Sequence, residues 1–389
     1  LIEMTDEVSK LVLRDNFLQT RAISLSVSQP LQALELQSRY INELERNGKI
    51  DRNLEYLPDV KVLLERKLMG KGLMRPSIAV LMCYSKTILK EQILASGVPE
   101  ESYMAQFLIS SFPKPLQKRF SKQMQSHPLR REIIATRLSN IIVNEMGFTY
   151  VYRLQDETGA PVSAIVRAYM IARNVLNLES VWKQIEELGT QISAQKQIEM
   201  MMLYARLSRR ITRWFLRSQR RAVDISEIVK LYSQGVVELK MSIPSILSEE
   251  RRIKYDEHYQ GLIDSGIPPQ LAHELTVTRG LFAATDIIEI AYKRDMKVAQ
   301  VAEIYFGIDE YLDLSWIRKQ IIIHPSENHW ESLSREALRD DLDLQQRQLT
   351  AGLINSDDDS PDLQARLASW GESHRGLIQR WRYILADLK

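Results

Sequence analysis

The sequence is 389 residues long, 44% hydrophobic and 26% charged, which excludes a largely disordered chain and supplies apolar residues for more than one core. Its 52 basic and 50 acidic side chains leave a formal charge of +2, so the chain as a whole has no electrostatic mandate for nucleic acid or anionic lipid. One cysteine, Cys83, excludes an internal disulfide and a thiolate metal cage and suits a reducing compartment, with cytoplasm as the default expectation.

Nothing in the chain approaches the run of about 18 apolar residues that a membrane span needs. The start, Leu1-Ile2-Glu3-Met4, is not a methionine, is already amphipathic and lacks the basic-then-apolar order of a signal peptide. It reads as a piece of something longer.

From there apolar residues recur at spacings of three and four, the helical period. Helices are expected at Leu31 to Arg46, Val60 to Met69 and Ser77 to Leu94. The stripe Leu129, Ile133, Ile134, Leu138, Ile141 and Ile142 follows Pro128 in an opening turn and precedes Gly147, where a left-handed cap is wanted. Further helices are expected at Val162 to Leu176 and Ile192 to Arg221. Asp224 with Glu227 three residues on makes a capping-box start for a helix ending near Gly235. Then come Pro269 to Arg279, Leu281 to Arg294, Val298 to Phe306 and Glu331 to Leu353. Ser360-Pro361-Asp362 opens the last, with Leu363, Leu367, Trp370, Leu377, Ile378, Trp381, Ile384 and Leu388 on its apolar side and Gly371 as a possible break. Only Phe148 to Leu154 and Ile321 to Ile323 are strand candidates, and runs that short are equally turns of buried helix.

Breaks at Gly70-Lys71-Gly72, Gly97-Val98-Pro99, Phe112-Pro113, Thr158-Gly159-Ala160-Pro161, Gly266-Ile267-Pro268-Pro269 and Ser356-Asp357-Asp358-Asp359 are irregularly spaced, which argues against a solenoid. The expected fold is all-α, a non-repetitive multi-helix array of two helical subdomains, 1–222 and 223–389.

The chemical inventory is mainly one of motifs that stop short. Gly70-Lys71-Gly72 has no third glycine at dinucleotide spacing and no strand before it, and no glycine precedes Lys-Ser or Lys-Thr in a phosphate-loop frame. His273-Glu274 begins like a zinc-protease helix, but Val277 stands where the second histidine is needed. His324 and His329, five apart across Pro325, do not share a helical face. Cys83 lies in the apolar stretch Val80-Leu81-Met82-Cys83-Tyr84, which favours a buried, inert thiol, and Met200-Met201-Met202 reads as core filler. No catalytic, cofactor or metal residue is expected in this chain.

One pattern rises above that background. Arg206, Arg209, Arg210, Arg213, Arg217, Arg220 and Arg221 recur at helical spacing opposite Leu203, Leu207, Ile211, Trp214 and Phe215. Three outcomes suit such a helix: pairing with acids elsewhere in the chain, such as Asp340, Asp341 and Asp343; docking on another domain or subunit through Arg209, Arg210, Arg213 and Arg217; or binding an anion or nucleic acid, which the lack of interleaved aromatics disfavours. With Trp214 and its apolar neighbours in the core, Trp214→Ala is expected to cost more stability than Arg213→Ala.

Met4-Thr5-Asp6-Glu7-Val8, then Leu11-Val12-Leu13-Arg14-Asp15-Asn16 and Gln19-Thr20, resemble the segment just after the catalytic domain in the large bacterial NAD-dependent glutamate dehydrogenases. The resemblance continues through Gly70-Lys71-Gly72-Leu73 with Arg75-Pro76, His127-Pro128-Leu129-Arg130-Arg131-Glu132, Asn144 with Gly147, Arg167-Ala168-Tyr169, Thr212-Arg213-Trp214, Tyr305-Phe306, His329-Trp330, Leu338-Arg339-Asp340-Asp341-Leu342 and Arg347-Gln348-Leu349-Thr350. Met74 and Ser77 depart from it, since the family usually has Thr before Arg75 and Glu after Pro76. It implies a parent enzyme that oxidatively deaminates glutamate to 2-oxoglutarate with NAD, as a cytoplasmic homo-oligomer whose active site lies upstream. It transfers no catalytic residue and no cofactor to this chain, whose expected partners are the upstream catalytic domain and further copies of the parent, with no nucleic acid and no membrane. The competing reading is a free-standing helical scaffold or adaptor that binds protein or nucleic acid through Arg206 to Arg221.

Overall fold

The computed structural model describes residues 2–28, 30–218, 224–323, 329–355, 363–373 and 376. Every regular element among the described residues is helical. The chain divides into two compact units, Leu1–Val229 and Lys230–Lys389, and the division falls inside one helix.

The first unit holds α1 (Ile2–Val27), α2 (Pro30–Arg46), α3 (Val60–Leu68), α4 (Arg75–Leu94), α5 (Ala105–Ile109), α6 (Lys114–Gln125), α7 (Arg130–Met146), α8 (Tyr150–Thr158), α9 (Val162–Val175), α10 (Leu178–Glu187) and α11 (Ala194–Ser218). Its centre is the packing of α4 on α7 and of α9 on α11. Ile78, Leu81, Leu89 and Ile93 of α4 and Ile134, Leu138 and Ile142 of α7 are all close to fully buried, the outcome that residues three and four apart produce when they share a helix face. Gly147 ends α7 with a positive φ of 88°, and Leu129 stays outside the core as the N-cap residue, 55% exposed. The strand candidate at Phe148 to Leu154 is a turn at Phe148 and Thr149 followed by the start of α8, which packs on α9 and α11.

α12 (Ile225–Ile246) leads into the second unit, with α13 (Glu249–Asp264), α14 (Pro269–Leu281), α15 (Ala284–Arg294), α16 (Val298–Tyr311), α17 (Leu314–Ile323), α18 (His329–Ile354) and α19 (Leu363–Ser373). Ile321 to Ile323, the other strand candidate, finishes α17. Asp224 does cap α12, its carboxylate accepting the Ser226 amide at 2.6 Å, but the helix does not stop at Gly235. It continues to Ile246, and Gly235 is a point of close approach within it: a Cβ there would lie 2.7 Å from the Ile288 side chain of α15. Gly371 likewise sits within α19 rather than breaking it, against the Tyr311 ring of α16. α16 is the hub, with Ile304 and Ile308 enclosed by Leu314 and Ile317 of α17, Leu342 and Leu353 of α18, and Leu367 and Trp370 of α19. The expected cap at Ser360-Pro361-Asp362 and the apolar positions from Leu377 to Leu388 lie outside the described residues.

Candidate functional site: the arginine helix and its buried ion pairs

The arginine pattern occupies α11, whose inner face carries Leu207, Ile211 and Phe215, each no more than 2% exposed. At about 100° per residue, Arg213 shares the polar arc with Arg206, Arg210 and Arg217, and Trp214 stands at an edge of the apolar arc. The structure reverses the fate of those two neighbours. Arg213 is 3% exposed and paired with Glu157 of α8, whereas Trp214 is half-buried, its ring edge-on to Phe215 at 5.2 Å. The reason is tertiary: α8 packs along the arginine-bearing edge of α11, and the Trp214 edge is less covered. Arg206 and Arg217 are exposed and Arg209 and Arg210 half-buried; Arg220 and Arg221 lie outside the described residues.

Glu157 is the node of this site. It accepts from Arg213 and, at 2.6 Å, from Arg153 one helical turn back. Arg before Glu is the weaker order for such a pair, and the carboxylate sits in the last turn, where the helix dipole opposes it. Burial pushes its pKa up, but Arg153, Arg209 and Arg213 outweigh burial and hold it below the ordinary carboxylate range. The arginine helix is therefore met by Glu157. Of the acids first considered, Asp343 meets Arg318 at 3.3 Å.

A second buried network adjoins it. The Tyr150 hydroxyl donates to Thr212 Oγ1 of α11 at 3.0 Å, and its ring packs edge-on to Tyr169 at 5.4 Å. The Tyr169 hydroxyl bonds Glu145, and Arg173 grips the same carboxylate with two nitrogens at 2.9 and 3.0 Å while reaching Glu179 at 2.7 Å. Burial works against the Arg173 charge, but Glu145 more than offsets it, so the guanidinium is held above its ordinary value. Burial, aided by Glu145, pushes the Tyr169 phenol well up. At the far side Arg21 pairs with Glu186, which Arg14 also reaches at 2.6 Å, and its guanidinium lies 4.4 Å over the Trp182 ring. Two-nitrogen pairing and stacking are what a planar guanidinium does and a lysine ammonium does not.

The remaining sequence candidates have ordinary surroundings. His273 shares a 2.8 Å hydrogen bond with the Tyr255 hydroxyl, and Glu274 accepts from Lys240 at 2.5 Å, so the incomplete zinc motif serves to join α14 to its neighbours. Among the described residues no three His, Cys, Asp or Glu side chains stand together as a metal site. His324 is outside the described residues, and His329 begins α18 beside Trp330. Cys83 is exposed rather than buried, because it lies off the Ile78–Leu81–Met82–Ser85 stripe that α4 turns inward. Met200 and Met201 fill the core, and Met202 is half-buried. Gly70-Lys71-Gly72 forms the turn between two helices, closed by Arg66 Nε donating to the Gly72 carbonyl at 2.7 Å.

Sequence reasoning missed Glu157, Glu145 and Arg173. Glu157 lies just past the 148–154 run, which the sequence leaves open between strand and helix, and Glu145 and Arg173 meet across 28 residues, a contact that helical spacing does not specify. The site joins helices and couples charges, and its described side chains compose no nucleophile with an adjacent base.

Residues 70–389 match the family described as "Glutamate dehydrogenase, C-terminal". The chain belongs to that family. Over its whole length it is 39% identical to an NAD-specific glutamate dehydrogenase of Pseudomonas aeruginosa, 38% identical to one of Halomonas elongata, and 28% identical to one of Mycobacterium tuberculosis. It spans about a quarter of each, 24% of their length. Several residues that carry the family resemblance are those of the buried networks of the first unit, Tyr169, Thr212 and Arg213; in the second unit Arg347, which is partly exposed, meets Glu289 at 2.8 Å. No described helix is long and apolar enough to cross a membrane.

Proposed function

We propose that this chain is the C-terminal helical part of a large NAD-dependent glutamate dehydrogenase, whose whole polypeptide converts L-glutamate to 2-oxoglutarate and ammonia, and that it contributes packing and assembly contacts rather than reacting groups. One observation carries the reading: the whole chain aligns with NAD-specific glutamate dehydrogenases while spanning only 24% of their length. The chemistry of the described residues supports the division of labour, because the most deeply buried charge of α11, Arg213, is committed to Glu157 and Gly70-Lys71-Gly72 links two helices. In this reading NAD binds upstream, this part holds none of its own, and the parent is a cytoplasmic homo-oligomer in which Arg209, Arg210 and Arg217 brace the helix toward the catalytic part or a second subunit, while Arg213, enclosed on Glu157, holds the helix in place from within.

The experiment is twofold. The full-length polypeptide should oxidise glutamate only with NAD, and calorimetric titration of NAD into the 389-residue chain should give no heat of binding. Micromolar affinity of the isolated chain for NAD overturns the non-catalytic assignment, and a full-length protein inert toward glutamate overturns the parent activity.

A further inference from the structure

Apolar exposure is unevenly distributed in the first unit. Among its described residues, fourteen of the sixteen large hydrophobic side chains that are exposed lie before residue 75; the other two are Phe120 and Leu129. The densest part is α3 with its flanks. Val60, Leu64 and Leu68, at successive helical turns, are 65%, 58% and 81% exposed, with Tyr56 and Met69 beside them. Only Leu63 of this nine-residue helix is buried, and α2 is its principal neighbour. A helix that short gains too little from its own hydrogen bonds to persist unaided. Asp59 caps its start, accepting the Val62 amide at 2.8 Å, yet a cap does not replace a packed face. Val60, Leu64 and Leu68 share one face by their spacing of four, and an exposed apolar face of this kind marks an interaction site.

Resting on the reading that this chain is part of a longer glutamate dehydrogenase, we infer that the outer face of α3, formed by Val60, Leu64 and Leu68 with Tyr56 and Met69, is the surface on which the preceding part of the same polypeptide packs. Two observations select that occupant. The match to the C-terminal family begins at residue 70, just past α3, whereas the relatives align from the first residue and hold about three quarters of their length outside this chain. The exposed apolar side chains of the first unit therefore concentrate in the stretch that lies outside the C-terminal family match. The rim is of mixed charge: Lys61, Lys67 and Lys71 stand with Glu55, Asp59 and Glu65, and Arg66 is bonded to the Gly72 carbonyl. The complementary surface is accordingly apolar at its centre with polar groups of both signs around it.

The test compares thiol labelling of the 389-residue chain with that of the full-length polypeptide, in a Cys83→Ser background carrying Leu64→Cys, Leu68→Cys or, as an exposed reference outside the patch, Gln125→Cys, with modification read by peptide mapping. In the isolated chain all three sites should react at similar rates. In the full-length polypeptide Leu64→Cys and Leu68→Cys should slow by about tenfold or more relative to Gln125→Cys, as expected of a site reached only by local opening. Equal labelling in the two contexts overturns the inference. So does concentration-dependent self-association of the isolated chain that Leu64→Glu with Leu68→Glu abolishes, since the face would then belong to a second copy. The labelling is read without turnover, so an inactive full-length protein counts against the parent activity alone.

Discussion

The two units use the same secondary structure but bring their helices together by different means. In Leu1–Val229 the cations at the helix crossings are sealed: the side chains of Arg213, Arg173 and Arg21 are 3%, 8% and 8% exposed, each on a carboxylate. In Lys230–Lys389 the ionic node is Asp309, bonded by Arg251, Ser315 and, at 2.6 Å, Arg318, and Arg347 meets Glu289; those arginines are 26%, 23% and 26% exposed. The second unit closes its tightest crossings with small residues instead, as Gly235 against Ile288 and Gly280 against Ile243 show. Deep ion pairs join helices while demanding exact partners, because losing one partner strands the other in a poorly solvating interior. Close backbone approach asks only for the absence of a side chain.

The sharpest way to break this contrast is at Glu157. Glu157→Ala leaves Arg213 buried without its carboxylate and should destabilise the first unit by about 3 to 5 kcal/mol, seen in hydrogen exchange as faster global opening of α8, α9 and α11 with the second unit unaffected. A change below about 1 kcal/mol would show that the network is better solvated than its burial implies.

Next in size is the pair on α11. Arg213→Ala should cost more than Trp214→Ala, opposite to what the amphipathic pattern suggests. The half-buried ring should lose about 1 to 2 kcal/mol on truncation, less than a fully enclosed tryptophan. Denaturant midpoints of the two variants at equal m-value decide the order.

In the second unit, Gly235→Ala forces a Cβ against Ile288, itself 2% exposed. Overpacking should outweigh the better helix propensity of alanine by about 1 to 2 kcal/mol. At Gly371 the obstacle is the hydroxyl end of Tyr311, a side chain 39% exposed that can swing outward, so Gly371→Ala should lie within about 1 kcal/mol of the parent. Equal costs at the two positions would erase the distinction between them.

The smallest effects are in pH. Burial raises the Tyr40 phenol to about 12 and also raises those of Tyr150 and Tyr169, with Glu145 adding to the last. A raised phenol contributes stability that is complete below its unfolded value of about 10 and is lost as pH climbs toward the folded value, so the first unit should weaken in alkali and Tyr40→Phe should blunt that loss. Glu157 has the opposite sign: its depressed pKa contributes stability above about 4.3 that disappears in acid. In the second unit burial, with Arg279, lowers His258, so a small part of its stability should fade below about pH 6.5, and His258→Gln should remove that dependence. Unfolding midpoints against pH check all three.

Periodicity and caps made the helical class and most element positions legible. Val162 to Leu176, Ser77 to Leu94 and Asp224 as a start all correspond to observed features within a residue or two, because amphipathic spacing and side-chain capping act over one or two turns of local chain. The resemblance carried by segments such as Thr212-Arg213-Trp214 and Arg347-Gln348-Leu349-Thr350 pointed to the right family. Tertiary structure decided the rest. A glycine inside a helix looks the same in sequence whether it ends the helix or admits a neighbour, and only the presence of Ile288 makes Gly235 the second kind. An arginine on a polar arc is solvated unless another helix covers that arc, and α8, placed by contacts distant in sequence, turned Arg213 inward and left Trp214 at the edge. Local spacing specifies which face a residue occupies; which faces become interior depends on what packs there.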